Sequence, residues 1–365
     1  MKKALKLIGA ILLALLLLVI GFFGLLSAVE YRPDAVTELA VNGNGSKTLD
    51  ADLFSTAGKD AQSKELTLLS WNIGYSGLGS SADFFMDGGK GVRTQTKEQV
   101  QENLEAFASE LETVNPDFVL LQEVDRNSTR SYHVNGVDFL SARMSDYQNT
   151  FANNFKVLFV PYPVPPIGAV DSGILTLSRY NAEKASRIQL PCPFSWPVRL
   201  ANLKRCLLAE YIPIEGSDRQ LVLVNLHLEA YDSGEGKIEQ TKILESFLEE
   251  EYNKGNYVIA GGDFNQSFSG TDTSMYPLQG NGLWECGLMD ESQFPEGWQF
   301  LMDNSVPSCR SLDRPYDPND KTFQYYLIDG FIVSPNVTAV SIETLDLGFV
   351  NSDHNPVKLT VTLNP

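Results

Sequence analysis

The stretch Tyr257-Val258-Ile259-Ala260-Gly261-Gly262-Asp263-Phe264-Asn265 is an apolar run that stops at two glycines and then turns polar. Four apolar residues bounded by turn formers predict a buried strand. A carboxylate and an amide follow at its far end. The same pattern recurs along the chain. Leu221–Val224 ends in Asn225-Leu226-His227, and Val350 leads to Ser352-Asp353-His354-Asn355-Pro356. Upstream, Leu66–Ser70 ends in Trp71-Asn72, Phe118–Leu121 ends in Gln122-Glu123, and Leu327-Ile328 leads to Asp329. The chain holds 3 histidines, and two of them, His227 and His354, fall in these segments. Scarce residues placed this way point to chemistry rather than packing.

If these strand ends meet on one edge of two stacked sheets, carboxylates, amides and two imidazoles share a cleft. Oxygen donors from Glu123, Asn72 and Asp353 suit a hard cation such as Mg²⁺ better than Zn²⁺. No Cys-x-x-Cys or Cys/His cluster supports zinc. Between the motifs, strands are expected at Leu66–Trp71, Phe118–Gln122, Lys156–Val160, Gly173–Leu177 and Leu207–Ile212. Others fall at Leu221–Leu228, Tyr257–Ala260, Leu327–Val333 and Val357–Leu363. Val100, Leu104, Phe107, Leu111 and Val114 make one apolar face, predicting a helix over about Thr96–Val114 that Asn115-Pro116 ends. A second helix is expected near Lys237–Tyr252, and Phe268–Lys321 reads as surface loops. Many strands and few helices in mixed order predict stacked sheets with outer helices.

The succession of motifs resembles the endonuclease/exonuclease/phosphatase superfamily. It runs Trp71-Asn72, Gln122-Glu123, Ser178-Arg179-Tyr180, Asn225-x-His227, Gly262-Asp263-x-Asn265, an Asp329 strand, then Ser352-Asp353-His354. Each motif alone is short; their order over about Leu66–Leu363 is what carries the resemblance. It implies an α/β fold, a four-layer αββα sandwich of two mixed sheets, and Mg²⁺-dependent hydrolysis of a phosphate ester, with Mn²⁺ as a substitute. It further implies Glu123 as principal metal ligand with Asn72 beside it; Asp353 is added as a ligand from the oxygen donors alone. Asp263 would orient or deprotonate the attacking water. Asn265 and His227 would hold the phosphate, His354 would stabilise developing charge, and Asp329 would fix the His354 tautomer. Such roles are physically coherent, because charge spreading over phosphate oxygens is lowered by fixed cations and donors. His133 reads as a surface residue, and Arg179 and Tyr180 as support for the fold.

The N-terminus sets the compartment. Lys2, Lys3 and Lys6 precede an uncharged stretch from Leu7 to Val29, long enough as a helix, at roughly 34 Å, to cross a bilayer. A signal peptide would have a shorter apolar core. The expected layout is residues 1–6 cytoplasmic, 7–29 an uncleaved single-pass anchor, 30–64 a tether with one short strand near Val36–Val41, and 65–365 an extracellular catalytic body. Four cysteines, Cys192, Cys206, Cys286 and Cys309, could pair locally as Cys192–Cys206 and Cys286–Cys309 or stay as free thiols. The net charge of −18 disfavours nucleic acid as substrate without forbidding it. No protein partner is expected. The segment between Gly261 and Asp329 lacks the extended signature of inositol 5-phosphatases. Because the body is acidic and tethered at the bilayer, a phospholipid or sphingolipid headgroup is the expected substrate, with an extracellular nuclease the enzyme alternative and a silent binding module the alternative of another class. Phe84, Phe85 and Met86 are expected to overhang the cleft, against an apolar leaving group or lipid, or to pack on the body.

Overall fold

The computed structural model describes residues 2–50, 65–232, 234–280 and 282–364. It opens with α1 (Lys2–Ala28) and the short strands β1 (Val36–Leu39), β2 (Val41–Asn42) and β3 (Leu49–Asp50). Next come β4 (Leu66–Asn72), α2 (Lys97–Val114), β5 (Phe118–Asp125), α3 (Gly136–Arg143), β6 (Gln148–Val160), β7 (Gly168–Ser178) and β8 (Lys184–Gln189). Then follow β9 (Cys206–Glu215), β10 (Gln220–His227), α4 (Glu235–Asn253), β11 (Tyr257–Asp263), β12 (Gln266–Phe268), β13 (Gly287–Met289) and β14 (Gln299–Leu301). Last are β15 (Cys309–Arg310), β16 (Tyr325–Tyr326), β17 (Asp329–Val333), β18 (Val337–Thr344) and β19 (Val357–Leu363).

Two large sheets form, in the orders β1-β8-β9-β10-β11-β17-β14 and β18-β19-β4-β5-β7-β6-β2, with β3 added on β9. Each contains one central parallel pair, β10/β11 and β4/β5. A helix makes each crossover, α4 in the first and α2 in the second, as parallel pairing requires. The sheets stack through a shared core that includes Leu68 and Leu120 from one and Leu223 and Ile259 from the other. The outer faces are covered by α2 and α3 through Leu104, Phe107 and Leu140, and by α4 through Leu244 and Leu248. The result is the four-layer αββα sandwich expected. α2 starts where the Thr96 side chain accepts the Gln99 amide and stops at Asn115, whose φ of 52° is left-handed.

Side chains alternate across a strand, and here the inward positions change character along each central strand. They run Leu66, Leu68, Ser70, Asn72 in β4 and Phe118, Leu120, Gln122 in β5. In β10 they are Leu221, Leu223, Asn225, His227, and in β11 Tyr257, Ile259, Gly261, Asp263. One end of the inter-sheet layer is therefore oily and the other polar. Gly261 sits at the transition because a Cβ there would stand 2.4 Å from the Phe331 ring. Asn225 ties the layers together. From β10 its Nδ2 donates to the carbonyls of Leu121 (3.2 Å) and Leu175 (3.1 Å) in the opposite sheet, and its Oδ1 accepts Gln122 Nε2 at 2.9 Å. Asn225→Ala is expected to lower the unfolding free energy by ~2–3 kcal/mol, read from denaturant midpoints. An unchanged midpoint would remove Asn225 as a staple.

Glu210 of β9 lies opposite Leu223, so it shares the inner face. It is fully buried, no charged group offsets that burial, and the neutral side chains of Thr150 and Gln148 beside it compensate only in part. Burial pushes its carboxyl from the ordinary 4.5 up to about 7. The folded chain thus keeps a proton that the unfolded chain gives up, and stability falls as pH rises through that window. Glu210→Gln is expected to recover up to ~3 kcal/mol at pH 8 and almost nothing at pH 4. Equal Tm gains at both pH values would refute the assignment.

Two expectations need revision, and one open alternative is decided. The described part of the stretch read as a tether joins the body: β1 pairs with β8, β2 with β6 and β3 with β9. Short polar edge strands carry little hydrophobic signal, so composition alone reads them as linker; residues 51–64 of the expected tether lie outside the described residues. Of the two states left open for the four cysteines, the structure has free thiols. Finally, Phe268–Lys321 contributes β13, β14 and β15 as well as loops. At the N-terminus, α1 is long and apolar enough to cross a membrane.

Candidate active site

Register brings the strand-end motifs together. In the parallel β10/β11 pair His227 lies beside Asp263, and antiparallel β17 sets Asp329 beside Asp263 on the other flank. In the second sheet Asn72 of β4 pairs with Gln122 of β5. The β5/β7 ladder slips between Leu121 and Val124, and within that bulge Glu123 has φ 55°. A bulge re-aims one side chain, and here it turns Glu123 toward the cleft. Asn265, at φ 51°, is the second non-glycine residue of the site in this region. Backbone strain at both positions is a feature of functional sites.

Asp263 is the hub. Its Oδ2 accepts Asn72 Nδ2 at 3.0 Å and faces His227 Nε2 at 3.4 Å and His354 Nε2 at 3.9 Å; its Oδ1 accepts the Asn265 amide at 2.9 Å. Asn72 Nδ2 also donates to Glu123 Oε1 at 3.3 Å, while Asn72 Oδ1 accepts the Gly74 amide. His354 Nδ1 meets Asp329 Oδ2 at 2.8 Å. The His354 loop is pinned from behind: Trp71 Nε1 donates to the His354 carbonyl, and Ser352 Oγ donates to the Asn72 carbonyl. Asp353 is buried, with Oδ2 3.9 Å from His354 Nε2. Asn265 Nδ2 donates to the Leu228 carbonyl. All eight expected site residues therefore fall within one constellation. His133, as expected, is exposed and pairs with Asn127. Arg179 lies over Tyr147, and Tyr180 stacks on Phe118, away from the hub.

The two imidazoles are set to opposite charge states. Burial would lower His354, but Asp329 overrides it and holds the ring well above its ordinary value, so it is a cation. His227 is lowered well below its ordinary value by burial, then by Arg205 and His354, so it is neutral. Burial pushes Asp263 up to about 7, with Asp329 adding to the rise, and pushes Asp353 up to about 6. The Nε2 of each ring faces Asp263 Oδ2, at 3.4 Å from His227 and 3.9 Å from His354. Positioned donors, one of them charged, thus surround a carboxylate suited to orienting water.

The donor set fits a hard divalent cation. Glu123 and Asp353 bring carboxylate oxygens to the same cleft, and acid outweighs base there. Asn72 is a qualified case: in this conformer it presents its amide nitrogen to the carboxylates, so it orders Glu123 and Asp263. Its oxygen would reach a metal only after the amide turns over. Asp263, Asp329 and His354 also bring ligand atoms within 4.8 Å of one another, but the Asp329–His354 hydrogen bond commits that trio to holding a proton.

Several functional positions had no motif to announce them. Arg130 is buried, pairs with Asp125 at 2.9 Å, stands 3.9 Å from Glu123 and lies over the Tyr75 ring. It backs the proposed metal ligand with positive charge. Its sequence context, Asn127-Ser128-Thr129-Arg130, resembles any surface turn. Arg205 bonds Glu229 and the His227 carbonyl, and Tyr231 donates to Asp87 at the rim. Phe84, Phe85 and Met86 do line the cleft.

Carboxylates gathered around an imidazolium, with room for a cation, make this a metal-dependent phosphoester hydrolase in design. The chain belongs to the endonuclease/exonuclease/phosphatase family, whose model it matches over residues 69–354. Solved structures agree on the fold. An endonuclease/exonuclease/phosphatase from Beutenbergia cavernae DSM 12333 is 19% identical with a TM-score of 0.57, covering 82% of this chain and 72% of its own. A family protein from Leptotrichia buccalis C-1013-b is 14% identical with a TM-score of 0.52, covering 82% of this chain and 100% of its own. One from Bacteroides vulgatus is 14% identical with a TM-score of 0.51 and the same coverage. At these identities the likeness is one of fold. No curated protein matches the chain.

Asp329→Asn is expected to lower kcat on bis-p-nitrophenyl phosphate by ~10²–10⁴-fold, because the His354 cation loses its partner. Near-normal kcat in folded protein would place that charge outside the reaction.

Proposed function

We propose that this chain is a membrane-anchored, Mg²⁺-dependent phosphodiesterase or phosphatase acting on a phospholipid or sphingolipid headgroup, with its catalytic body on the outer face. One observation carries the reading. The cleft that holds Asn72, Glu123, Asp263 and His354 is a cavity of about 580 Å³ whose wall also includes Phe23 and Leu26 of α1. A phosphate site and the end of an apolar helix share one space. The lysines before α1 support the orientation, and the net charge of −18 weighs against a polyanionic strand as substrate.

In this reading Glu123 and Asp353 supply carboxylate oxygens to the metal, and Asn72 its amide oxygen once turned over. When bound, Mg²⁺ would supply Lewis-acid stabilisation of the phosphate charge. Asp263 orients the attacking water and takes its proton. His227 and Asn265 donate to phosphate oxygens, and the His354 imidazolium, held by Asp329, faces the charge that builds on them. Arg130 keeps Glu123 in place.

The test is product release by the full-length chain in detergent or nanodiscs. The panel is bis-p-nitrophenyl phosphate, sphingomyelin, phosphatidylinositol and plasmid DNA, each with Mg²⁺ or EDTA, beside Asp263→Ala. Lipid headgroup release that needs Mg²⁺ and falls by ~10³-fold or more in Asp263→Ala is the expected result. Preference for DNA would replace the lipid reading with a nuclease. No turnover of any substrate by folded protein would favour a silent binding module.

A further inference from the structure

Exposed segments on a body this acidic are normally polar, yet two near the cleft, the end of β6 with the loop after it and the turn at Trp196, are not. Leu158-Phe159-Val160-Pro161-Tyr162-Pro163-Val164-Pro165-Pro166 and Trp196-Pro197-Val198 contain no charged residue. Their apolar side chains are exposed: Val164 93%, Tyr162 68% and Trp196 55%. Contiguous exposed apolar surface marks an interaction site.

These segments gather at the end of α1. Phe22 meets Phe159 edge-on at 6.4 Å, and Phe23 meets Trp196 at 5.9 Å. Trp196 Nε1 donates to Ser27 Oγ at 3.1 Å. Just beyond the helix, Glu30 bonds Arg199 and Lys204, each at 3.3 Å, from an almost fully buried position. The geometry has a consequence for depth. Phe22 lies inside the apolar run of α1, roughly 9 Å along the axis from Ala28. A helix that crosses a bilayer with its last turns in lipid carries Phe159 and Trp196 to that same level. The body then cannot stand clear of the membrane. Trp and Tyr at this height suit the interfacial belt. Behind the exposed side chains, Val160, Ile167, Leu200 and Leu203 continue the apolar wall of the cavity toward Asn72 and Asp263.

We propose that the end of α1 and segments 158–166 and 196–198 form a single collar seated in the bilayer leaflet where α1 ends. Through this collar a lipid acyl chain enters the cleft sideways while its headgroup meets the catalytic residues. Chain entry rests on the lipid reading above and on α1 spanning the membrane; the seating of the collar rests on α1 alone.

The test uses the full-length chain in phosphatidylcholine nanodiscs. With Cys192→Ser and Cys286→Ser, an environment-sensitive fluorophore is placed at Val164→Cys, or at Val340→Cys on β18, at the other edge of the β6-containing sheet. Nitroxide-bearing acyl chains are expected to quench the label at 164 about threefold or more over that at 340, as burial in the leaflet requires. Equal quenching would overturn the collar. In parallel, Leu158→Asp with Val164→Asp is expected to lower bilayer-lipid hydrolysis about tenfold while leaving bis-p-nitrophenyl phosphate turnover within about twofold. Equal loss on both substrates would overturn chain entry. Quenching at 164 without any lipid turnover would keep the collar and remove the lipid substrate. Lipid turnover with an unquenched 164 would keep the substrate and remove the collar.

Discussion

The Asn225 side chain, buried between two sheets, is the tie on which the cleft depends. Stacked sheets held only by Leu, Ile and Phe contacts can slide, because apolar contact has no direction. Directional bonds from Asn225 to two carbonyls of the opposite sheet and to Gln122 remove that freedom at the polar end. Asp263 and His227 come from one sheet, Asn72 and Glu123 from the other. Their mutual distances are therefore only as fixed as the sheets are. A buried amide placed there converts a hydrophobic sandwich into a positioned set of polar groups.

Charge within that set is arranged by environment rather than by residue type. His227 and His354 are chemically identical and both face Asp263, yet one is neutral and the other cationic. Asp329 stands behind His354, whereas His227 is buried with its Nδ1 unpartnered among the described residues and has the positive charge of Arg205 and His354 nearby. On the other side, Arg130 places a fixed positive charge 3.9 Å from Glu123. Paired groups pushed to opposite protonation states are what acid–base chemistry near neutrality requires.

The central strands and their polar ends were legible because two signals coincided, an apolar run and a break into Asn, Asp, Glu or His. The stacking of sheets with outer helices followed from the mixed order of elements; the parallel pairing of β4 with β5 and β10 with β11 did not. What escaped was whatever depended on long-range contact. Arg130 acquires its role from Asp125, Glu123 and Tyr75, which no local pattern brings to it. Gln122 and Asn225 stood inside motifs that suggested chemistry, yet their bonds are structural. Strands β8 and β18 mix polar with apolar residues and lack a clean alternation. β1 to β3 are too short and polar to stand out from linker. Val164 and Trp196, separated in sequence, read as ordinary loop residues until folding sets them beside one helix.

Glu30 gives α1 a fixed bearing. Ion pairs from the buried Glu30 carboxylate to Arg199 and Lys204, with Trp196 bonded to Ser27, hold the body against the end of its helix at several points. A protein hinged on a flexible stalk samples its substrate as a solute, by volume. In the membrane-anchored reading proposed above, a body clamped in this manner would keep its cleft at a constant height and azimuth, and it would meet substrate as an occupant of area. Its working concentration would then be the mole fraction of one molecule among its neighbours in a plane.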